Sequence, residues 1–160
     1  MVQVLYNPLS NNGKGGEAVE KLTPLFPDKK VAFSDITEID GIKNFISKLD
    51  KDDKLIITGG DGTINHFIND LDGVCPDRDV LYYPMGSGND FFNDIKEKAK
   101  NGFIRLNEYL KDLPVITVKG RKSFFLNGIG YGIDGYCCEE GDRQRARSTK
   151  KINYTAIALK

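Results

Sequence analysis

The amino-acid sequence predicts an α/β fold, in which a parallel sheet of the Rossmann type carries helices on its faces. Short runs of β-branched and apolar residues alternate along the chain with segments whose apolar residues recur every three or four positions, and this alternation is typical of strands and amphipathic helices in turn. Many glycines also follow the ends of the predicted strands. Glycine-rich turns at the carboxyl ends of parallel strands indicate a ligand site at that edge of the sheet.

Four strands and three helices account for most of the first two thirds of the chain. The predicted strands are Val2–Tyr6, Lys30–Ser34, Lys54–Thr58 and Val80–Tyr83. The predicted helices run from about Gly15 to Leu25, through Ile42 to Leu49, and through Ile64 to Leu71. Strands and helices in this order predict parallel pairing with right-handed crossovers.

The pattern changes after about Leu113, where two predicted strands surround a turn at Lys119–Lys122 without a helix between them. We therefore predict an α/β domain over residues 1–113 and the beginning of a second, β-rich domain over residues 114–160. Gly130, Gly132 and Gly135 formally match a dinucleotide motif, G-x-G-x-x-G. Because the following residues predict no helix, we interpret these glycines as a bend in a strand.

Composition excludes several classes of protein. Lys plus Arg and Asp plus Glu balance at 23 each in a chain of 160 residues, so we predict no nucleic-acid partner. The sequence has no apolar run of membrane-spanning length and no signal-peptide pattern at its start, so we predict no transmembrane segment. Its three cysteines lack C-x-x-C spacing, which favours a reduced, cytoplasmic setting. Peripheral contact with a membrane is compatible with these predictions.

Three glycine-containing loops follow predicted strands, and parallel pairing would bring all three to one edge of the sheet. They contain Gly13, Gly15 and Gly16, then Gly59, Gly60 and Gly62, then Gly86 and Gly88. Such loops let backbone N–H groups approach phosphate. Asp61 would repel phosphate unless a cation lay between them, which indicates Mg²⁺. The alternative is a tight turn in which Asp61 caps the helix at Thr63.

The motifs in these loops resemble a known family. The stretches are Asn7-Pro8-Leu9-Ser10, Gly59-Gly60-Asp61-Gly62-Thr63 and Pro84-Met85-Gly86-Ser87-Gly88-Asn89-Asp90, with a weaker one at residues 127–135. Their order and spacing resemble the diacylglycerol kinase catalytic domain that bacterial lipid kinases, sphingosine kinases and ceramide kinases share.

The resemblance implies ATP and Mg²⁺ as cofactors. It implies Asp61 as the metal ligand and Asp61 with Asp90 as the catalytic residues. Asn11 stands where the family usually has glycine, and asparagine tolerates the left-handed backbone that glycine would adopt. The residues implied to bind the nucleotide are Asn7, Ser10, Asn11, Ser34, Gly59, Gly60, Asp61, Gly62, Thr63, Asn65, Gly86, Ser87 and Asn89.

The activity that the resemblance implies is transfer of the γ-phosphoryl group of ATP to a lipid hydroxyl, on diacylglycerol or a related lipid at a membrane surface. Bacterial family members are about twice this length by the usual domain-size expectation, so we expect the chain to be the nucleotide-binding part, with the general base outside it. A homodimer is allowed. The alternatives are a kinase of a soluble substrate, like the NAD kinases that share G-G-D-G, and a non-catalytic nucleotide-binding module.

Overall fold

The computed structural model describes residues 1–130, 132–148 and 152–159. The strands are β1 (Val2–Tyr6), β2 (Val31–Asp35), β3 (Lys54–Gly59), β4 (Val80–Pro84), β5 (Ile104–Arg105), β6 (Val115–Val118) and β7 (Arg121–Phe124). The helices are α1 (Ser10–Gly13), α2 (Glu17–Leu22), α3 (Ile42–Ser47), α4 (Asp61–Asp70), α5 (Asp90–Ile95), α6 (Asn107–Leu110), α7 (Ile133–Arg147) and α8 (Tyr154–Ala158). Two short 3₁₀ turns cover Thr23–Leu25 and Lys96–Lys98.

The main sheet has the strand order β2-β1-β3-β4-β5, which confirms the predicted α/β class. Strands β1 to β4 are parallel, and β5 pairs antiparallel with β4. The chain passes from β1 to β2 on one side and returns to β3 on the other, so the strand order reverses between β1 and β3. Ligands of open α/β sheets bind at such a reversal, beyond the carboxyl ends of the strands.

The core lies on both faces of this sheet because successive strand residues point to opposite sides. On one face, Leu55 and Ile57 of β3 pack with Phe67 and Ile68 of α4, and all four are fully buried. On the other face, Ile56 lies in a cluster with Leu22 of α2. Each buried aliphatic or aromatic side chain stabilises the fold by about 1.5–3 kcal/mol, so the central strands are held from both sides.

The structure departs from the predicted elements mainly after β4. Helices α5 and α6 and the two-residue strand β5 were not predicted, because each is too short to show a period. The strand bend predicted at residues 130–135 is wrong, since helix α7 begins at Ile133. Its apolar residues Ile133 and Tyr136 are exposed, so among the described side chains they provide no buried apolar face from which to predict the helix. In the described part of residues 114–160, strand structure is confined to the β6–β7 hairpin.

Two compact units are present, residues 1–127 and residues 128–160. The hairpin β6–β7 belongs to the first of them. The domain boundary that we predict after residue 113 stays a prediction. Among the described residues, no helix has the length and apolar character needed to span a bilayer.

Candidate functional site

The loops that follow β1 and β3 are joined through the side chain of Thr63, at the point where the strand order reverses. The Asn7 side-chain amide donates to Thr63 Oγ1 at 3.0 Å. The Ser10 hydroxyl lies 3.2 Å from the same oxygen, and Thr63 is buried. Two residues predicted to bind the nucleotide are thus engaged with a third, and their hydrogen bonds hold the two loops together.

The first loop is shaped by asparagines. The N–H of Leu9 donates to Asn7 Oδ1 at 3.0 Å, which closes a tight turn. Asn11 has φ 52° and ψ 47°, the left-handed conformation expected of a residue that replaces glycine. Asn12 follows with φ 57°. Asn11 therefore adopts the left-handed backbone conformation at a position where the diacylglycerol kinase family usually has glycine.

The backbones of the second and third loops touch directly. The N–H of Met85 donates to the carbonyl of Gly59 at 2.8 Å. A Cβ on Gly86 would lie only 2.4 Å from the Cα of Gly60, and a Cβ on Gly60 would lie 3.0 Å from the Cα of Gly86. Position 86 therefore requires glycine, and a side chain at position 60 would be tightly packed against the third loop. The three loops predicted to meet at one edge of the sheet are therefore in contact.

The third loop is closed by Asn89, which has a left-handed backbone with φ 56°. Its side chain accepts from the N–H of Gly86 at 2.8 Å and donates to the Gly86 carbonyl at 2.9 Å. This pair of bonds turns the chain back on itself and leaves Ser87 and Gly88 exposed at the tip. Asn89 therefore shapes the loop, and Ser87 is its accessible hydroxyl.

Asp61 connects the second loop to the start of α5. Its Oδ2 accepts from the N–H of Asp90 at 3.0 Å, and its Oδ1 accepts from the N–H of Phe91 at 3.0 Å. A third donor, the side-chain amide of Asn127, lies 3.3 Å from Oδ1. The alternative role considered for Asp61 was to cap its own helix, α4. Its carboxylate instead caps α5. Both oxygens of this half-buried side chain therefore accept hydrogen bonds.

Tyr82 lies beneath the loops, where it interacts electrostatically with the Asp61 carboxylate. Its hydroxyl donates to the carbonyl of Gly59 at 3.0 Å, and the side chain is fully buried. Burial raises the pKa of Tyr82, and the negative charge of Asp61 raises that pKa further. The tyrosine therefore stays neutral and keeps donating to the loop backbone.

Two carboxylates converge beside Gly88. A Cβ at this glycine would lie 3.5 Å from Asp90 Oδ1 and 3.6 Å from Asp61 Oδ2. Without a side chain, Gly88 leaves the space beside both carboxylates open, and Mg²⁺ commonly takes one or two carboxylates together with phosphate oxygens and water. Across the described residues no cluster of three or more His, Cys, Asp or Glu side chains could hold a metal. The residues present therefore fit a cation that a phosphate helps to bind.

Backbone donors also face this edge of the sheet. The N–H groups of Thr63 and Ile64 donate to the carbonyl of Gly60 at 2.9 Å and 3.2 Å. Within the described residues the N–H groups of Asp61 and Gly62 have no such acceptor, as expected for the first turn of a helix. These two donors at the positive end of α4 suit an anion.

Two residues of the predicted set lie apart from these contacts. Ser34 lies on β2 in register with Leu5, and strand β1 separates it from β3. Asn65 is exposed on α4, where its carbonyl and side-chain oxygens accept from Asn69. Sequence reasoning also missed Asn127. The signal for it was the weaker stretch of the resemblance, residues 127–135, which begins at Asn127, but nothing local connects that stretch to Asp61.

Comparisons with known proteins place these loops in a family. The family model of the diacylglycerol kinase catalytic domain matches residues 1–112. A curated protein of Bacillus subtilis (strain 168), "Putative lipid kinase YtlR", is 32% identical over an alignment 94 residues long, and the match covers 52% of this chain and 29% of that protein. The chain thus matches less than a third of that relative's length. Because the family match includes all three loops, the chain belongs to the diacylglycerol kinase catalytic domain family.

Proposed function

We propose that this chain binds ATP with Mg²⁺ and forms the nucleotide-binding part of a lipid kinase, which transfers the γ-phosphoryl group to a lipid hydroxyl at a membrane surface. In this proposal residues 1–113 are the nucleotide-binding domain. The acceptor is diacylglycerol or a related lipid. The supporting observation is the contact of the three loops at the reversal of strand order in the sheet, where Thr63 joins the first loop to the second and Asp61 joins the second to the third.

Phosphoryl transfer depends mainly on positioning and on neutralising negative charge. The N–H groups of Asp61 and Gly62 would donate to phosphate oxygens, and the Ser87 hydroxyl would donate from the tip of the third loop. Asp61 Oδ2 and Asp90 Oδ1 would hold the cation. When bound there, Mg²⁺ would screen the phosphates from these carboxylates and stabilise the charge that spreads over the transferred group.

Two observations favour a lipid acceptor over a soluble one. The stretch Pro84–Asp90 accompanies G-G-D-G in this chain, and by resemblance this combination belongs to lipid kinases more than to NAD kinases. The matched relative from Bacillus subtilis also carries the name of a lipid kinase. These observations support the class of acceptor and leave the individual lipid to experiment.

Binding is tested by titration calorimetry of the chain with ATP, in Mg²⁺ or in EDTA. We expect binding that needs the cation, and Asp61→Asn should weaken it about tenfold or more, as is usual when a group that supports a metal site is lost. Asp94→Asn is the matched control, because Asp94 is exposed on α5, the helix that Asp61 caps. Equal affinity of the Asp61→Asn variant and the wild type would refute the assignment.

The acceptor is tested with ATP labelled on its γ-phosphate, offered together with dispersed diacylglycerol or with NAD. Label on the lipid supports the proposal, and label on NAD favours the soluble-substrate alternative. Cation-dependent binding without transfer to either acceptor would favour the non-catalytic module.

A further inference from the structure

Residues 124–127 lie along helix α4 and return the chain to the loops; we name this segment the strap. At its start, the side chain of Asn69 donates to the Phe124 carbonyl at 2.9 Å and accepts from the Phe124 N–H at 2.9 Å. By bonding both the N–H and the carbonyl of Phe124, the Asn69 amide makes the two backbone hydrogen bonds that a neighbouring strand would otherwise make. The Phe124 ring also occupies the space beside Gly73, where a Cβ would lie 2.5 Å from it. The start of the strap is therefore fixed to the far end of α4.

The end of the strap reaches the near end of the same helix. Asp61, Asn65 and Asn69 are spaced by four residues, so they form one stripe along α4. Eight residues of helix rise about 12 Å, and three extended residues span about 10 Å. The side chain of Asn127 covers the remainder and donates to Asp61 Oδ1 at 3.3 Å.

The two oxygens of Asp61 consequently accept different numbers of hydrogen bonds. Oδ1 receives two donors, the N–H of Phe91 and the amide of Asn127, whereas among the described residues Oδ2 receives only the N–H of Asp90. A carboxylate oxygen has about two lone-pair sites, so Oδ1 is saturated and Oδ2 keeps one site. Oδ2 is also the oxygen that lies beside Gly88, near Asp90 Oδ1.

We propose that Asn127 is a positioning residue for Asp61: by saturating Oδ1 it directs the free lone pair of Oδ2 toward the cation space beside Gly88. This inference rests on the proposed function, because the cation arrives with a nucleotide. It adds a role that none of the three loop motifs contains, carried by a residue more than 60 positions from the carboxylate that it orients.

The test compares Asn127→Ala with Asn44→Ala. Asn44 is a matched control because its exposed side chain also donates to a carboxylate, that of Asp40, at 3.3 Å, on a different helix. Titration calorimetry would measure the affinity of each variant for a non-hydrolysable ATP analogue, once with Mn²⁺ and once with EDTA. Melting temperatures would be recorded for the same samples.

We expect Asn127→Ala to weaken binding in Mn²⁺ about tenfold, the lower end of the usual effect of groups that orient metal ligands, while affinity in EDTA and melting temperature stay near those of Asn44→Ala. Asn127→Gln should recover part of the loss, because position 127 is exposed and has room for a longer amide. A merely structural role would lower the melting temperature without a cation-specific loss, and that result would overturn the proposal.

The outcomes separate the two proposals. If the wild type binds more tightly with Mn²⁺ than with EDTA and Asn127→Ala keeps that whole difference, the role of Asn127 is wrong and the proposed function stands. If the wild type gains nothing from Mn²⁺, both the proposed function and the role of Asn127 are wrong.

Discussion

Replacing Gly86 with alanine should separate the second and third loops. The added Cβ would lie 2.4 Å from the Cα of Gly60, 3.1 Å from the Gly60 nitrogen and 2.7 Å from Asn89 Oδ1. Carbon atoms in ordinary contact are about 3.5–4.0 Å apart, so the two main chains must move apart by about 1 Å or more. Overpacking of this kind costs about 1–3 kcal/mol of folding free energy.

The same displacement should affect nucleotide binding, because it moves Asp61 relative to the third loop. A loss of about 1.4 kcal/mol corresponds to a tenfold weaker complex, and we expect at least this for ATP with Mg²⁺. Urea denaturation would give the stability and calorimetry the affinity. Gly16→Ala is the control, since its Cβ would meet nothing within 4 Å. Unchanged stability and affinity in Gly86→Ala would refute the close approach of the two loops.

Two further predictions concern neighbouring residues. Burial and the charge of Asp61 raise the pKa of Tyr82, so the fold favours the neutral phenol; this stabilisation is complete below the ordinary tyrosine pKa of about 10 and is lost as pH rises beyond it. Denaturation between neutral pH and pH 11 should show that the free energy of unfolding falls less steeply with pH in Tyr82→Phe than in the wild type. Near neutrality the variant should be about 1 kcal/mol less stable, because it lacks the hydrogen bond to Gly59. Equal dependence of stability on pH in the two proteins would contradict this. Asn69→Ala should release the hairpin, so that amide hydrogen exchange accelerates in residues 115–124 while β1 and β3 stay protected; unchanged exchange there would show that Phe124 does not depend on Asn69.

The sequence carried enough information for the α/β class and for the position of the three loops. Strands β1 and β3 consist largely of apolar residues and end in polar or glycine-rich turns, so both their existence and their ends are visible. Parallel pairing then places these ends at one edge without knowledge of strand order. The order β2-β1-β3-β4-β5 depends on contacts between distant segments and could not be read from local pattern.

The elements that escaped prediction have physical reasons in common. Strand β5 has two residues and helix α5 has six, which is too few for a period to show. Helix α5 is instead stabilised at its start by Asp61, from 29 positions earlier in the chain. The bond between Asn127 and Asp61 likewise depends on the path of the hairpin, so the local sequence of neither residue predicts it.

The length of the strap is constrained by helix α4, because both of its ends are bonded to that helix. A segment of turn-like residues after a hairpin usually tolerates insertion and deletion, because loop closure changes little with length. Here both ends are fixed, by Asn69 and by Asp61. Removing one residue would shorten the reach by about 3.3 Å, more than a hydrogen bond can absorb. Among sequences that keep this arrangement, the spacing between positions 124 and 127 should therefore stay constant even where the side chains between them vary.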